Sequence, residues 1–199
     1  NSSSTVCIIQ EYASGKDILY QIKKNERLNE NISKFLFQQL LEALMHLKCE
    51  NIFLDIYGNI KHGDFGFSTI MQNNDVSHTF CGSRAYVPPE VLRSQPYTSF
   101  TVDLWSLGVV LFVMVAGLMP YDNQNPRQML SKQLQHKLTF PRKILISEEV
   151  KTLIYEILHP IPSQRKSYSD IVTSSWLTNV PYKFRTKNNC DKDDLLEFQ

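Results

Sequence analysis

Residues 58–68 read GNIKHGDFGFS, and this stretch decides the fold. It contains a short segment, Ile60-Lys61-His62, that ends two residues before Asp64. A similar segment, 52–54, comes before it, and the Gly-Asn pair between the two is typical of a hairpin turn. The sequence therefore predicts two short strands paired in a hairpin.

Two polar side chains flank the predicted hairpin. Asn51 stands just before the first strand, and Asp64 follows the second, so we expect both side chains to converge on one point. Carboxylate and carboxamide oxygens are hard ligands that suit Mg²⁺, and a Mg²⁺ ion held there could bridge the phosphates of a nucleotide. The alternative interpretation is that Asp64 and Asn51 are turn residues that only cap the hairpin.

The most apolar stretch of the chain covers residues 104–119, and as a helix it would be apolar on every face. It falls short of the ~20 residues that span a bilayer, and Asp103 stands at its start. Such a helix is typical of the centre of a sizeable core, so we predict a buried helix rather than a membrane span. Apolar periodicity predicts further helices over 31–47, 127–138, 148–158 and 168–176, and a short helix capped by Asp17.

The other segments are less regular. Residues 6–10 (VCIIQ) predict a short buried strand. Residues 63–97 show no sustained periodicity and contain two consecutive prolines, which predicts a long ordered loop, usually a functional feature in a compact domain. Residues 178–199 are polar and charged, and we predict a poorly ordered tail there.

The composition is that of a globular domain, with 199 residues, of which 42% are hydrophobic and 21% charged. A net charge of +1 creates no strong field, so we expect neither nucleic acid nor a membrane as a partner. No basic segment followed by an apolar stretch opens the chain, so no secretory signal is predicted. Four cysteines lack CxxC or metal-ligand spacing and predict reduced thiols in a cytoplasmic protein: Cys7, Cys49, Cys81 and Cys190.

Further motifs follow in a fixed order: TFCGSRAYVPPEVL at 79–92, DLWSLGVVLFVMVAGLMPYD at 103–122, FPR at 140–142, and then Arg165. Together with the hairpin stretch, these motifs resemble the protein kinase family, and most of all the testis-specific serine kinases of the calmodulin-dependent-kinase-like group. The resemblance implies a mainly α (α+β) fold. It corresponds to the large C-terminal lobe of a kinase with a hinge strand and a small hairpin, the N-terminal lobe being absent from these residues.

The resemblance also implies an activity, namely ATP-dependent phosphorylation of protein serine and threonine. ATP and Mg²⁺ would be the cofactors, and protein substrates or docking partners would be bound. A role in sperm development would follow from the subfamily alone. The implied partial kinase domain covers residues 1–177.

For the nucleotide, the resemblance assigns Glu11 and Ala13 to the hinge, where their backbone groups would meet adenine. Asp17 would hold the ribose, and Gln10 would be the gatekeeper. For catalysis, Lys48 would contact the γ-phosphate while Asn51 and Asp64 would hold Mg²⁺.

For regulation and substrate binding, Thr79 matches the phosphorylation site of the activation loop, and Ser83 matches the position that shapes serine or threonine specificity. Both could also be plain loop hydroxyls. Glu90 and Arg165 match a buried ion pair that anchors the activation segment. Asp103 matches the carboxylate that braces the catalytic loop.

Two departures from the family pattern stand out. The glycine-rich phosphate loop, the strand lysine and the helix glutamate are not found in these residues. The His-Arg-Asp motif before Lys48 is also missing, and motif spacing suggests that the chain is shortened by about ten residues near 47–48. His46 stands at the place of the missing general-base aspartate, although it is better explained as the end of a helix.

These departures predict a chain with impaired catalysis and weak nucleotide binding. Two alternatives remain: a pseudokinase-type binding or scaffold module, and a truncated product with no function of its own.

Overall fold

A computed structural model describes residues 7, 9–42, 51–63, 77, 83–178 and 185–186. In this part of the chain the helices are α1 Ile18–Asn25, α2 Glu30–Glu42, α3 Pro89–Leu92, α4 Ser99–Ala116, α5 Pro126–Leu134, α6 Glu148–Ile157 and α7 Tyr168–Val172. The strands are β1 Ile52–Leu54 and β2 Ile60–His62, and short 3₁₀ turns cover Arg84–Tyr86 and Pro162–Gln164. The predicted mainly helical fold with a small hairpin is confirmed.

Helix α4 is the centre of the fold, as the sequence predicts, and it packs against α2 and α6. Every residue from Leu104 to Ala116 is buried. By length and hydropathy α4 alone among the described helices could cross a membrane, but 72% of its apolar window is buried inside the protein. These features are typical of a core helix.

The two ends of α4 differ from the prediction. The helix begins at Ser99, so Asp103 lies one turn inside it rather than at its start. It ends at Ala116 because Gly117 adopts a left-handed conformation with φ of 73°. A Cβ at Gly117 would lie 2.0 Å from the carbonyl oxygen of Glu26, so only glycine allows the loop after α1 to approach so closely.

The predicted hairpin is present. Strands β1 and β2 pair antiparallel, with Ile52 opposite His62 and Leu54 opposite Ile60. Helix α2 holds the hairpin, because the Ile60 N–H donates to Oε1 of Gln39 at 2.8 Å. Ile52 and Leu54 are fully buried, so one face of the hairpin is part of the core.

Helices α1 and α2 follow their sequence signals. The Asp17 side chain accepts a hydrogen bond from the Tyr20 N–H at 2.7 Å and caps α1, as predicted. The predicted helix over 31–47 is present as α2 up to Glu42, and its residues 43–47 lie outside the described part of the chain.

Other predicted boundaries require correction. In the predicted strand over 6–10, the described residues Cys7, Ile9 and Gln10 have no strand pairing, and the side chain of Ile9 is 96% exposed. Apolarity alone predicted this strand, but the described residues provide no neighbouring strand to pair with it. The predicted loop over 63–97 contains the short helix α3. This helix begins with a proline, Pro89, which is favoured in the first turn. Helices α5, α6 and α7 end earlier than predicted, at Leu134, Ile157 and Val172.

Candidate nucleotide and peptide site

The hairpin brings the region of the two predicted Mg²⁺ ligands together. The Gly63 N–H donates to the backbone carbonyl of Asn51 at 2.9 Å, which extends the β1–β2 pairing by one residue. Asp64 follows Gly63 directly in the chain. The side chain of Asp64 lies outside the described residues, but its chain neighbour is fixed against Asn51.

The two faces of the hairpin have different characters. Ile52 and Leu54 are buried, whereas Phe53 is half-buried on the opposite face. Because Lys61 lies opposite Phe53, and Gly63 follows in the same alternation, these residues share a face with Asn51. A Cβ at Gly63 would lie 2.9 Å from the Phe53 ring, so a larger residue at this position would clash with the ring.

The residues that follow the predicted hinge pair with β1. The Gly15 N–H donates to the Leu54 carbonyl, and the Leu54 N–H donates to the Lys16 carbonyl, both at 2.8 Å. Asp17 then pairs with Phe53 as an isolated antiparallel bridge. A Cβ at Gly15 would lie 2.7 Å from Cβ of Leu54, so glycine is what allows this approach.

Glu11, in the predicted hinge, contacts the same face of the hairpin through Lys61. The Lys61 ammonium lies 3.2 Å from the Glu11 carboxylate. Both side chains are substantially exposed, so this ion pair contributes little to stability, at most about 1 kcal/mol. The ion pair does show that Glu11, in the predicted hinge, lies beside Lys61 on the hairpin face. Ala13 follows in the same segment and is half-buried.

Asp17 combines a structural and a potential binding role. One carboxylate oxygen, Oδ1, accepts the N–H of Tyr20. A carboxylate has a second oxygen with acceptor capacity, and the Asp17 backbone is paired with Phe53 of the hairpin. An acceptor there could bind a sugar hydroxyl.

Phe53 is a residue that the sequence reading missed. Its ring is the main apolar group on a face otherwise formed by Asn51, Lys61 and Gly63, with Asp17 alongside. A flat aromatic surface in a polar setting is suited to packing against a base. The signal was available, because an apolar residue between two inward-facing ones in a short strand must point to the other face.

Several predicted residues cannot be placed in the same way. Lys48, Asp64, Thr79 and the alternative base His46 lie outside the described residues. Within the described part of the chain, no group of three His, Cys, Asp or Glu side chains could hold a metal ion. The implied Mg²⁺ pair consists of one carboxamide and one carboxylate, so it is not a group of that kind.

A second part of the site surrounds Glu90 and Arg165. The guanidinium nitrogens Nη1 and Nη2 donate to the two carboxylate oxygens of Glu90 at 3.0 and 3.1 Å. Nη1 also donates to the Thr101 carbonyl and Nε to the His159 carbonyl. Trp105 covers the guanidinium, with Cζ 5.0 Å from the ring centroid.

This network ties three segments together. Glu90 belongs to α3, Thr101 to α4, and Arg165 to the segment after α6. The predicted Glu90–Arg165 contact is therefore present, and both side chains are almost completely buried. A buried charge pair with all these hydrogen bonds fixes the position of α3 on the lobe.

The segment before α3 is fixed by two buried side chains. The Ser106 hydroxyl donates to the Tyr86 carbonyl at 3.0 Å, and Nε2 of Gln133 donates to the Val87 carbonyl at 3.1 Å. Ser83, at the start of this segment, is exposed. The segment therefore presents an exposed hydroxyl on a backbone that α4 and α5 hold rigid.

Comparison with known families agrees with this geometry. The family model described as "Protein kinase domain" matches residues 1–177. The chain belongs to the protein kinase family. In this chain Asn51 and Gly63 pair at one end of the hairpin, and the Glu90–Arg165 pair holds the segment 83–90.

Relatives of this chain include serine/threonine kinases. Testis-specific serine/threonine-protein kinase 2 of Mus musculus is 40% identical over 191 residues, which covers 88% of this chain and 53% of the relative. Testis-specific serine/threonine-protein kinase 4 of Homo sapiens is 34% identical, covering 98% and 66%. Probable serine/threonine-protein kinase MARK-B of Dictyostelium discoideum is 33% identical, covering 96% and 29%. The kinase chain spans about half the length of the mouse relative.

Proposed function

We propose that this chain is the part of a serine/threonine protein kinase that forms one wall of the nucleotide cleft and binds the peptide substrate. The reaction would be transfer of the ATP γ-phosphoryl group to a protein hydroxyl. The observation that carries the proposal is the hydrogen bond from Gly63 to the Asn51 carbonyl, because it fixes the residue before Asp64 against Asn51. The proposal places the two ligand positions, Asn51 and Asp64, at the same end of the hairpin.

The residues present fit Mg²⁺ and ATP. Asn51 is half-buried, and with Asp64 it would supply two hard oxygen ligands. The hinge backbone at Glu11 and Ala13 would bind adenine over Phe53, and Asp17 would accept from the ribose. When bound, the metal neutralises charge that develops on the phosphates. Lys48 would hold the γ-phosphate.

The peptide part of the proposal rests on the rigid segment from Ser83 to Glu90. Ser106 and Gln133 bind its carbonyls, and Arg165 anchors its end. A protein substrate could lie along this segment with the residue after its hydroxyl near Ser83. Thr79, four residues before this segment, would be the regulatory phosphorylation site.

We also propose that this chain alone is catalytically impaired. No aspartate occurs between Asp17 and Asp55, so no residue matches the general base that precedes Asn51 in the family. The alignment with the mouse relative runs over 191 residues yet takes in 88% of 199 residues of this chain, so the relative has residues in the matched stretch that this chain lacks. This is in keeping with a shortening near 47–48.

A second candidate function is a pseudokinase-type binding or scaffold module. The Glu90–Arg165 network favours it, because the peptide-docking segment keeps its anchors irrespective of the catalytic aspartate. A non-functional truncated product is the third candidate. All three candidates are compatible with the same fold. They differ in whether the chain transfers phosphate and whether it binds a partner.

A chimera distinguishes these candidates. A lobe with a glycine-rich loop and a strand lysine would be joined before residue 1, and a His-Arg-Asp segment would be inserted between Leu47 and Lys48. Phosphate transfer to a generic serine/threonine substrate would then be measured with Mg²⁺ and ATP. We expect transfer that is abolished by Asp64→Ala and by Asn51→Ala. Arg93→Ala, an exposed change, is the matched control. A chimera that binds ATP without transferring phosphate would contradict the kinase proposal and favour the binding module.

A further inference from the structure

Asn59 makes an unusual set of contacts at the hairpin turn. Its side-chain oxygen accepts the N–H of Arg185 at 2.9 Å, and its side-chain nitrogen donates to the carbonyl of the same residue at 2.7 Å. The side chain therefore pairs with both polar groups of one residue, 126 positions away in the chain. Such pairing imitates a neighbouring strand and suits a chain segment in extended conformation.

The turn itself depends on Asn59. The second hydrogen of its amide is donated to Oδ2 of Asp55 at 3.0 Å, and the other Asp55 oxygen accepts the N–H groups of Tyr57 and Asn59. The Asn59 side chain is completely buried. Its hydrogen-bonding capacity is divided between Asp55 and Arg185, and Arg185 supplies two of the three bonds.

A ring provides a preference for arginine. The guanidinium carbon of Arg185 lies 4.2 Å from the centroid of the Phe35 ring on α2. A cation over an aromatic face is attracted by the ring electrons, and the attraction grows as the pair is desolvated. Asn59 binds only the backbone of residue 185 and would accept any side chain there. The Phe35 ring contacts the guanidinium, so Phe35 is the part of the site that favours a basic residue.

We propose that Asn59 and Phe35 form an intramolecular docking site for the polar C-terminal segment, with Arg185 as the docked residue. The site belongs neither to the nucleotide face nor to the peptide-docking segment. Its effect is on the hairpin, because Asn59 and Asp55 shape the turn between β1 and β2, and the other end of that hairpin holds Asn51. Docking of Arg185 thus couples the C-terminal segment to the position of a predicted metal ligand.

The predicted poorly ordered tail therefore has at least one anchored residue. Its sequence offered a weak signal, a single arginine between aromatic and polar residues in YKFRTKN at 182–188. Nothing in that pattern identifies a partner so distant in the chain.

Hydrogen exchange on the full chain, read by mass spectrometry, tests the proposal. Arg185→Pro removes the N–H that Asn59 accepts and also the guanidinium, and it changes no residue of the lobe. We expect amide exchange over residues 55–60 to accelerate on the order of tenfold, because one of the two hydrogen bonds between Arg185 and Asn59 is lost and the other is weakened. Arg185→Ala and Phe35→Leu keep the backbone pairing and should give smaller increases.

Asn189→Pro is the matched control, because it places a proline in the same polar segment four residues further on. We expect it to leave exchange over 55–60 unchanged. Equal exchange in Arg185→Pro and the parent chain would overturn the proposal. An equal acceleration by Asn189→Pro would also overturn it, because the effect would then not pass through Arg185.

Discussion

The guanidinium of Arg165 and the carboxylate of Glu90 meet through two parallel hydrogen bonds of 3.0 and 3.1 Å, although the residues are 75 positions apart in the chain. Both side chains are nearly inaccessible to solvent. Two further carbonyls accept from the same guanidinium, so its donors are directed to the ends of α4 and α6 as well as to α3. The end of the segment 83–90 is thereby held to the core.

Removing one member of this pair should destabilise the protein strongly. Arg165→Ala leaves the buried Glu90 carboxylate without its cation, which typically costs about 3–5 kcal/mol. That is a large fraction of the total stability of a typical domain, about 5–15 kcal/mol. Urea unfolding followed by tryptophan fluorescence measures the loss.

Lys151→Ala is the control for this prediction, because Lys151 forms an exposed ion pair with Glu148. It should cost less than about 0.5 kcal/mol. If Arg165→Ala and Lys151→Ala cost the same, the Glu90–Arg165 pair does not anchor the segment as described.

Glu30 should make stability depend on pH. Burial raises the pKa of its carboxyl group, but hydrogen bonds from the Ser147 N–H, the Ser147 hydroxyl and the Trp176 indole outweigh burial, and the pKa is lowered. A lowered folded-state pKa contributes stability that is present above the unfolded value, about 4.3. This contribution is lost as the pH falls through the folded-state pKa.

Comparison of the parent chain with Glu30→Gln isolates this contribution. The difference in their free energies of unfolding should be greatest near neutral pH and should shrink below about pH 4. Chemical denaturation at a series of pH values measures it. A difference that stays constant from neutral pH to pH 3 would show that the Glu30 charge is not the source.

Ser106 should be needed for the rigid backbone near Tyr86. Ser106→Ala removes the buried hydrogen bond to the Tyr86 carbonyl, at a cost of about 0.5–1.5 kcal/mol. Ser131→Ala, a change at an exposed serine of α5, should be nearly neutral. Thermal unfolding of both variants gives the comparison, and equal midpoints would contradict the assignment.

Local patterns predicted much of this fold. The hairpin follows from its Gly-Asn turn, the cap of α1 from Asp17, and the core helix α4 from its uniform apolarity. The Glu90–Arg165 contact was predicted from motif resemblance rather than from a local pattern. Where the sequence failed, the missing information was tertiary, since apolarity at 6–10 predicts a strand only if another strand is available for pairing.

Other contacts leave no local trace at all. Glu30 binds Ser147 and Trp176, and Asn59 binds Arg185, across more than a hundred residues in each case. A polar residue in a helix or turn looks the same in sequence whether it faces water or a distant donor. Phe53 is the exception, because its place between two inward-facing residues indicates the opposite face.

Nucleotide binding by the 199-residue chain alone should be weak. The hinge, Asp17, Asn51 and Asp64 are predicted to form one wall of the cleft, and these residues contain no glycine-rich loop or strand lysine to cover the phosphates. We expect no saturation at micromolar ATP, which corresponds to less than ~8 kcal/mol of binding free energy. Titration calorimetry with Mg²⁺ and ATP measures this, and micromolar affinity would contradict the expectation.

Phosphate transfer by the unmodified chain tests the central claim most directly. Phosphoryl transfer depends on positioning and charge stabilisation, and loss of a general base alone typically costs about 10²–10⁴-fold. The measurement is radiolabel transfer from ATP to a generic serine/threonine substrate, with Asp64→Ala assayed in parallel. The account predicts incorporation equal to that of Asp64→Ala, with and without Mg²⁺. Incorporation above Asp64→Ala that requires Mg²⁺ would contradict it and would make His46 the first residue to replace.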